Sequence, residues 1–263
     1  MRIATWNVNS VRLRLDLVRR FLRKYRPDLV CLQETKTEDA LFPAEALARA
    51  GYPHQAVHGQ KSYNGVAILA RVPFASVARR AWCGRDDCRH LSVRLENGIE
   101  VHDLYVPAGG DEPDPDANPK FAHKLALLRE AAAWFGERSG EGVRAVLAGD
   151  LNVAPLETDV WSHRQLLKVV SHTPIEVELL EGLRRSLDWV DAVRRFVPPE
   201  RKLYSWWSYR ARDWAASDRG RRLDHVWVTP PLAGGLRAAT VARELRGWKR
   251  PSDHVPVVVD LDV

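Results

Sequence analysis

"LAGDLNVAP", residues 147–155, joins an apolar segment to a polar turn. The residues that lead into Gly149 suit a buried strand, and they are Val143, Ala145, Val146 and Leu147. The chain then places Asp150 and Asn152 on either side of Leu151, where the strand must end. Asp and Asn after a glycine usually form a turn by bonding their own backbone, so this stretch alone leaves a turn and a functional site as alternatives.

Polar side chains stand at the ends of other predicted strands in the same way. The set is Asn7 and Asn9 after "RIATWNV", Glu34 at the end of "DLVCLQE", Tyr105 in "IEVHDLYVP", Asp224 in "LDHVWV", and Asp253 with His254 before "VPVVVDLDV". Taken singly, each has a structural explanation; Glu34, for example, could cap a helix that begins near Thr35. Because they recur at successive strand ends, we predict that acids, amides, a phenol and an imidazole collect at one rim of the sheets.

Helices alternate with these strands along the chain. The spacing of apolar residues predicts helices near residues 11–24, 118–137 and 176–185. "GVAILA" is a further predicted strand, and "ENG" between "HLSVRLE" and "IEVHDLYVP" predicts a hairpin. The sequence contains no internal repeat and no linker rich in Gly and Ser. We therefore predict an α/β or α+β sandwich, two sheets covered by helices, as one domain over residues 1–263.

Size and composition exclude several classes of protein. The chain has 263 residues, a mass of 29.8 kDa and 45% hydrophobic residues, which is enough to bury a core without disulfides. No apolar run reaches the length of a membrane span, and the first residues lack the apolar core of a secretory signal. These features predict a cytoplasmic protein that makes no membrane contact.

The three cysteines do not form a disulfide framework, because their number is small and odd. Cys83, Cys88 and His90 in "CGRDDCRH" could be part of a zinc site. A structural zinc site needs four closed ligands, and the sequence offers no evident fourth. We therefore interpret the cysteines as ordinary thiols.

Positive charge is concentrated in one segment. The net charge is +6 with a pI near 9.4, which points to a polyanionic partner. Residues 201–222 carry seven Lys or Arg against two Asp, interleaved with five aromatic residues. Cations neutralise phosphates and ring faces pack against bases, so the segment suits a nucleic-acid groove. The alternative is a solvated loop with a few core tryptophans.

The residue types at the predicted rim suit hydrolysis of a phosphate ester. That reaction needs a divalent cation, a group that orients or deprotonates water, and donors for the phosphate oxygens. Glu34 offers a hard oxygen for Mg²⁺, and Asp150 can act on the water. The candidate donors are Asn7, Asn152, Tyr105 and His254, the last as a cation held by an acid. No serine or cysteine stands in a comparable setting, which argues against a covalent nucleophile.

The ordered set of motifs resembles the exonuclease III family of apurinic/apyrimidinic (AP) endonucleases, within the wider endonuclease/exonuclease/phosphatase group. The motifs are "IATWNVNSVR", "CLQETK", "YNGVAILA", "LYVP", "GDLNVAP", "YSWWSYR", "GRRLDHVWV" and "PSDHVPV", and they span nearly the whole chain. The resemblance implies a four-layered α-β-β-α sandwich of two mixed sheets. It also implies a nuclease that uses Mg²⁺ or Mn²⁺ on double-stranded DNA, at the 5′ side of abasic sites and at 3′ ends. We expect a monomer.

The resemblance also implies a role for each matched residue. The metal falls chiefly to Glu34, with Asn7 close by and Asp253 at the metal side. The catalytic set is Tyr105, Asp150, Asn152, Asp224 and His254, in which Asp224 pairs with His254. The implied substrate contacts are Asn9, where some members have Asp, and Trp206 with Leu223 as the abasic pocket. From the basic segment itself we expect phosphate contacts by Arg210, Arg212, Arg219, Arg221 and Arg222.

Three positions depart from the pattern that the family commonly shows. Ala108 stands where many members have Asn or Gln, Ser208 replaces an Asp, and Arg221 replaces a bulky apolar pocket wall. We expect the guanidinium of Arg221 to reach outward to a backbone phosphate, since burying it without a partner is costly. These departures leave open the balance between abasic-site cleavage, 3′–5′ exonuclease and 3′-phosphatase activity.

Two other functions remain as alternatives. One is a phosphatase of the same fold that acts on a small ester such as an inositol phosphate or a phospholipid headgroup. The basic aromatic segment argues against it. The other is a DNA-binding protein with an inactive site, against which stand all the acids and the histidine expected for chemistry.

Overall fold

The computed structural model describes residues 1–140, 142–211 and 213–263. Its strands are β1 (Arg2–Asn7), β2 (Leu29–Gln33), β3 (His54–His58), β4 (Val66–Ala70), β5 (Phe74–Arg79), β6 (His90–Leu95), β7 (Glu100–Leu104), β8 (Ala145–Asp150), β9 (Val190–Asp191), β10 (Trp206–Trp207), β11 (Gly220–Arg221), β12 (Asp224–Val228), β13 (Leu236–Val241) and β14 (Val257–Leu261). Its α-helices are α1 (Leu15–Tyr25), α2 (Ala44–Ala48), α3 (Pro119–Glu137), α4 (His163–Leu166), α5 (Pro174–Arg185), α6 (Trp214–Ser217) and α7 (Pro230–Ala233). Short 3-10 helices cover Asp39–Leu41, Glu157–Asp159 and Arg243–Gly247.

The strands form two six-stranded sheets and one short ribbon. The first sheet has the order β13-β14-β1-β2-β4-β3, and the second has the order β5-β6-β7-β8-β12-β9. Each sheet is mixed, because β1 runs parallel to β2 and β7 runs parallel to β8, while the other pairs are antiparallel. The ribbon pairs β10 with β11.

The two sheets pack face to face through a shared apolar core. That core takes side chains from both sheets, among them Ile3, Cys31, Val93, Val101 and Val226. A second cluster packs α1 against the outer face of the first sheet, and a third packs α3 and α5 against the outer face of the second. Helix, sheet, sheet and helix therefore form four layers, which confirms the predicted sandwich.

Local signals fix where the two long helices begin. Asn118 caps α3, since its side chain accepts hydrogen bonds from the backbone N–H groups of Lys120 and Phe121. Thr173 and Glu176 form a capping box at the start of α5, two residues earlier than the sequence predicts. None of the helices that the structure describes is long and apolar enough to cross a membrane.

The first helix is shorter than predicted. It begins at Leu15 rather than near residue 11, because Asn9 and Ser10 have positive φ angles of 46° and 85°. The backbone N–H of Ser10 donates to the Glu34 carbonyl at 2.7 Å, and that of Val11 donates to the Thr35 carbonyl at 3.1 Å. The segment after β1 is thus held against the segment after β2 instead of continuing the helix.

Candidate active site

Side chains from both sheets meet at one rim of the sandwich. Asn7 ends β1 and Glu34 follows β2, while Asp150 ends β8 and Tyr105 follows β7. Strand β12 runs antiparallel to β8 and pairs Asp224 with Asp150, so its first residue lies at the same rim. The structure therefore brings together the strand ends that the sequence predicts to meet.

Asp150 lies at the centre of this rim and is 1% exposed. Its Oδ2 accepts a hydrogen bond from Asn7 Nδ2 at 2.9 Å, and its Oδ1 accepts one from the backbone N–H of Asn152 at 3.0 Å. Asn7 Nδ2 also donates to Glu34 Oε1 at 2.9 Å, and the Tyr105 hydroxyl donates to that oxygen at 3.0 Å. One amide thus bridges two carboxylates and fixes their spacing.

The hydrogen bond from Asn152 to Asp150 shows that "LAGDLNVAP" does form the turn. Asp150 does form a turn with its own backbone, two residues on, as a turn former would. Asn152 has a positive φ of 53° there, and its Nδ2 donates to the Val106 carbonyl at 2.9 Å. The turn therefore holds both polar side chains at the rim, so forming a turn leaves both side chains placed for a functional role.

His254 is held by one acid and faces another. Its Nδ1 lies 2.8 Å from Asp224 Oδ2, and its Nε2 lies 3.6 Å from Asp150 Oδ2. Burial disfavours a charged ring, but the carboxylates of Asp224 and Asp150 raise the pKa of His254 to about 10. Burial raises the pKa of Asp150 to about 7, against the charge of His254. His254 is therefore a cation at neutral pH, and Asp150 titrates near neutrality.

The two candidate metal ligands are half-buried carboxylates. Burial opposes ionisation of Glu34, but Lys36 and the hydrogen bond from Asn7 hold its pKa below the usual value. The pKa of Asp253 is likewise held low despite burial, by the charge of His254 and by hydrogen bonds from Asn9 and Trp206. Mg²⁺ and Mn²⁺ prefer such hard oxygen ligands, so these residues fit the divalent cation that the resemblance implies.

Lys36 contacts Glu34 directly and is connected to Asp253 through Asn9. Its Nζ lies 2.7 Å from Glu34 Oε2 and 2.8 Å from Asn9 Oδ1. Asn9 Nδ2 in turn donates to Asp253 Oδ1 at 3.1 Å. The oxygen atoms of Glu34 and Asn9 therefore already hold one positively charged group, the ammonium of Lys36. The sequence reasoning missed Lys36, although it stands two residues after Glu34 in "CLQETK".

Trp206 and Leu223 lie beside the candidate catalytic residues His254 and Asp224. Trp206 is half-buried, forms a bridge to His254, and donates from Nε1 to Asp253 Oδ2 at 3.0 Å. Leu223 is only 4% exposed and packs in a small cluster with Ala154, Val160 and Leu166. The ring of Trp206 is therefore partly accessible at the rim, whereas Leu223 is packed in the interior behind it.

The expected orientation of Arg221 is wrong. Its guanidinium donates to the Val170 carbonyl at 2.9 Å and to Ser171 Oγ at 2.7 Å, and it lies over the Trp206 ring at 5.3 Å. Burial lowers the pKa of Arg221, with Glu176 acting in the opposite direction. The side chain points inward because a carbonyl, a hydroxyl and an aromatic face bind its guanidinium there. A backbone phosphate was expected to do so.

The expectation that Arg222 contacts phosphate is also wrong. Arg222 is 1% exposed and pairs with Asp191 and, at 3.5 Å, with Asp159. Two acids distant in the sequence thus draw the guanidinium into the interior. Arg210 and Arg219 are exposed, as expected, with Arg219 lying 4.7 Å above the Trp161 ring. Arg212 lies outside the described residues.

A buried ion pair behind the site was not predicted. Lys124 Nζ lies 2.5 Å from Glu176 Oε1, and it donates to the Asn152 carbonyl at 2.7 Å and the Ala108 carbonyl at 3.3 Å. Glu176 also accepts hydrogen bonds from the backbone of Ser171 at 2.9 Å. The pair therefore connects the turn at Asn152 to the segment that holds Arg221. The signal in the sequence was a lysine on the apolar face of α3, in "FAHKLALL".

Two serines also support the rim and escaped the sequence reasoning. Ser205 Oγ accepts hydrogen bonds from the backbone N–H groups of Leu223 and Asp224 at 3.0 and 3.1 Å. Ser252 Oγ donates to the Asn7 carbonyl at 2.7 Å and accepts from the His254 N–H at 3.2 Å. Each serine thus joins a catalytic strand end to a neighbouring segment.

Comparisons with known proteins identify the family. The profile of the Endonuclease/Exonuclease/phosphatase family matches residues 4–254. Exodeoxyribonuclease III of Haemophilus influenzae is 26% identical over 267 residues, and the match covers 98% of each chain. An AP endonuclease structure from Archaeoglobus fulgidus superposes with a TM-score of 0.92 at 32% identity, covering 100% of both chains.

A further structure shows a related protein with DNA. It is the 3′ phosphatase NExo from Neisseria bound to a product DNA hairpin, which superposes with a TM-score of 0.92 at 31% identity over 100% of both chains. The chain belongs to the endonuclease/exonuclease/phosphatase family, and within it to the hydrolytic nucleases of the exodeoxyribonuclease III and AP endonuclease type.

Proposed function

We propose that this protein is a metal-dependent DNA repair nuclease that hydrolyses phosphodiesters at the 5′ side of abasic sites and removes nucleotides and phosphates from 3′ ends. The observation that carries the proposal is the position of Asp150, buried, hydrogen-bonded to Asn7, and 3.6 Å from a histidine that Asp224 holds at 2.8 Å. The names of the relatives support the range of activities, since they include an exodeoxyribonuclease III, an AP endonuclease and a 3′ phosphatase.

Each residue at the rim has a part in this hydrolysis. Asp150 orients the attacking water and accepts its proton at a carboxylate oxygen, while Asn7 and the backbone of Asn152 fix that carboxylate. His254 donates from Nε2 to a nonbridging phosphate oxygen as a cation, and Asp224 holds its ring. Tyr105 and the Asn152 amide are further donors near the phosphate.

Mg²⁺ or Mn²⁺ is the proposed cofactor. Glu34 is its main protein ligand, with Asn7 and Asp253 close by, and Lys36 holds that position when the cation is away. When bound, the cation supplies Lewis-acid stabilisation of the charge that develops on the phosphate and the leaving oxygen. The low pKa of Glu34 keeps its carboxylate available for this role at neutral pH.

The proposed substrate is double-stranded DNA, bound by the monomer. Arg210 and Arg219 are exposed for phosphate contacts, and the half-buried ring of Trp206 lies beside His254. An abasic sugar can leave the helix at low cost because it has no base to unpair or unstack. We propose that Trp206 lines the pocket that receives it. We also propose that residues 1–263 form a single domain and that the protein acts in the cytoplasm, beside the chromosome.

One gel tests this function. Three labelled duplexes, carrying an abasic site, a recessed 3′ end and a 3′ phosphate, are incubated with equal enzyme and Mg²⁺, beside inositol phosphates as the small-ester control. We expect cleavage of all three duplexes and no phosphate release from the small esters. Trp206→Ala should lower abasic cleavage more than removal of the 3′ phosphate. Turnover of the small esters with intact duplexes would overturn the proposal, and an unchanged ratio in Trp206→Ala would reject the pocket.

A further inference from the structure

A second group of potential metal ligands lies outside the active site. His58 at the end of β3 meets Asp86 and Cys88 from the segment between β5 and β6. One ligand atom from each of the three residues lies within 4.8 Å of those from the others. The sequence suggested a different grouping, Cys83 and Cys88 with His90. The structure instead places Cys88 beside a histidine 30 positions earlier in the chain.

Both ring nitrogens of His58 lie against oxygen atoms. Its Nδ1 lies 3.2 Å from the His90 carbonyl oxygen, and its Nε2 lies 3.0 Å from Asp86 Oδ1. Both partners are acceptors, whereas a neutral imidazole carries only one N–H. If the proton on Nδ1 serves the carbonyl, then the lone pair of Nε2 faces a carboxylate. In that tautomer the lone pair of Nε2 is free to bind a metal ion beside Asp86 and Cys88.

The position of Cys88 favours the metal ion. A proton on Nε2 would complete the bond to Asp86 and would need no third partner. The thiol of Cys88 nevertheless lies within the same group and is 7% exposed. A carbonyl on Nδ1 that leaves Nε2 free for the ion is also the arrangement usual for metal-binding histidines.

The charge around the thiol points the same way. Burial raises the pKa of the Cys88 thiol, and the carboxylates of Asp86, Asp39 and Asp87 raise it further. Asp39 is paired with Arg79 at 2.8 Å and Asp87 with Arg89, which leaves the exposed carboxylate of Asp86 beside the thiol. A metal ion bound there would offset the repulsion between a thiolate and these carboxylates. Ligands in a tetrahedral zinc site lie about 3.3–3.8 Å apart, so small movements within the group suffice.

We propose that His58, Asp86 and Cys88 form a binding site for Zn²⁺ or a similar transition-metal ion, separate from the active site. Imidazole and thiolate ligands suit Zn²⁺ and do not suit Mg²⁺. Asp86 is exposed, so the fourth position opens to solvent and takes water.

Backbone hydrogen bonds connect the proposed site to the rim that holds Glu34 and Tyr105. The Cys88 carbonyl accepts from Gly65 N–H at 3.1 Å, and the Gly65 carbonyl accepts from Thr35 N–H at 3.1 Å, directly after Glu34. On the other side, the Arg89 carbonyl accepts from the Tyr105 N–H at 2.8 Å. A metal ion held by Asp86 and Cys88 would therefore order a segment that supports both Glu34 and Tyr105.

Cobalt spectroscopy tests the site in the full chain. The protein is stripped with chelator, kept in a phosphine reductant and titrated with Co²⁺ in excess Mg²⁺. We expect one equivalent to produce a thiolate-to-cobalt charge-transfer band, which Zn²⁺ then abolishes. Cys88→Ser should lose the band and Asp86→Asn should weaken the binding, while the control Cys83→Ser should behave as the parent. Zn²⁺ should raise the melting temperature of the parent and of Cys83→Ser only.

The thiolate band separates this site from the active site, where the group of potential ligands is Asp150, Asp224 and His254 and contains no cysteine. Asp86→Asn keeps the test valid if Cys88→Ser folds poorly, because Asp86 is exposed. Absence of the band in the parent would show that no metal ion binds through Cys88, and the proposal would be overturned. A band that persists in Cys88→Ser would overturn it as well.

Discussion

The ammonium of Lys124 lies 2.7 Å from the backbone carbonyl of Asn152 and 2.5 Å from Glu176 Oε1, and both charged side chains are fully buried. Through this contact, a buried ion pair behind the rim holds the backbone of the turn at Asn152 in place. Asn152 has a positive φ of 53°, a conformation that a non-glycine residue keeps only when its surroundings enforce it.

Lys124→Met should leave the Glu176 carboxylate buried without its cation. We expect a loss of about 3–5 kcal/mol in the free energy of unfolding, measured by urea denaturation. The double variant Lys124→Met with Glu176→Gln should recover much of that stability, because the amide carries no charge. Its kcat should nevertheless stay low, since the carbonyl of Asn152 is no longer held. Recovery of the parental kcat in the double variant would assign the pair a purely structural role.

The rate of cleavage, plotted against pH, should show a rising limb and a falling limb. Asp150 must lose its proton to act as a base, and its pKa of about 7 predicts a rate that rises tenfold per unit up to that pH. His254 must keep its proton, so the rate should fall again above its pKa of about 10. Asp224→Asn removes a carboxylate that raises both values, so both limbs should move to lower pH. Limbs that stay in place in this variant would contradict the pairing of Asp224 with His254.

Two arginines should respond differently to salt. Arg210 is exposed, and Arg210→Ala should reduce the slope of log Kd against log salt by about 0.9, the effect of one phosphate contact. Arg221 is already bonded to Val170 and Ser171, so Arg221→Ala should leave that slope unchanged. Binding of labelled abasic duplex at several salt concentrations measures both. A reduced slope in Arg221→Ala would mean that the guanidinium leaves its internal partners to bind DNA.

Loss of Glu34 should change the metal requirement rather than the fold. The carboxylate is the main proposed ligand, so Glu34→Ala should need far more Mg²⁺ to recover any cleavage, while Lys36→Ala should need less. The dependence of the cleavage rate on Mg²⁺ concentration measures this for each variant. Full activity of the parent in excess chelator would contradict the metal-dependent mechanism.

The interior of the two sheets could be predicted from the sequence, and their edges could not. All eight interior strands of the described sheets follow the predicted segments. Several are fully buried apolar runs such as "GVAILA", while β6 and β7 were predicted from the "ENG" hairpin signal between them. The four edge strands β3, β5, β9 and β13 were missed, since one side of each is exposed or the strand is very short. Strand β5, for example, alternates too weakly to be separated from a loop.

The rim could be predicted because its residues stand at strand ends, where their positions follow from the strands themselves. The arginines could not be assigned in the same way. Arg221 and Arg222 are neighbours in a basic segment, yet one turns toward Ser171 and the other pairs with Asp191 and Asp159. A local count of charges does not reveal partners that the fold brings from distant positions, and the same reason explains why Lys124 was missed.

The central claim is that Asp150 acts on the attacking water, and Asp150→Asn tests it most directly. The amide keeps the shape of the side chain and removes the charge that repels phosphate. Binding and single-turnover cleavage of the same labelled abasic duplex are measured in Mg²⁺ for parent and variant. We predict that Asp150→Asn binds the duplex at least as tightly as the parent and cuts it about 10²- to 10⁴-fold more slowly. Parallel loss of binding and cleavage, or cleavage at the parental rate, would contradict the account.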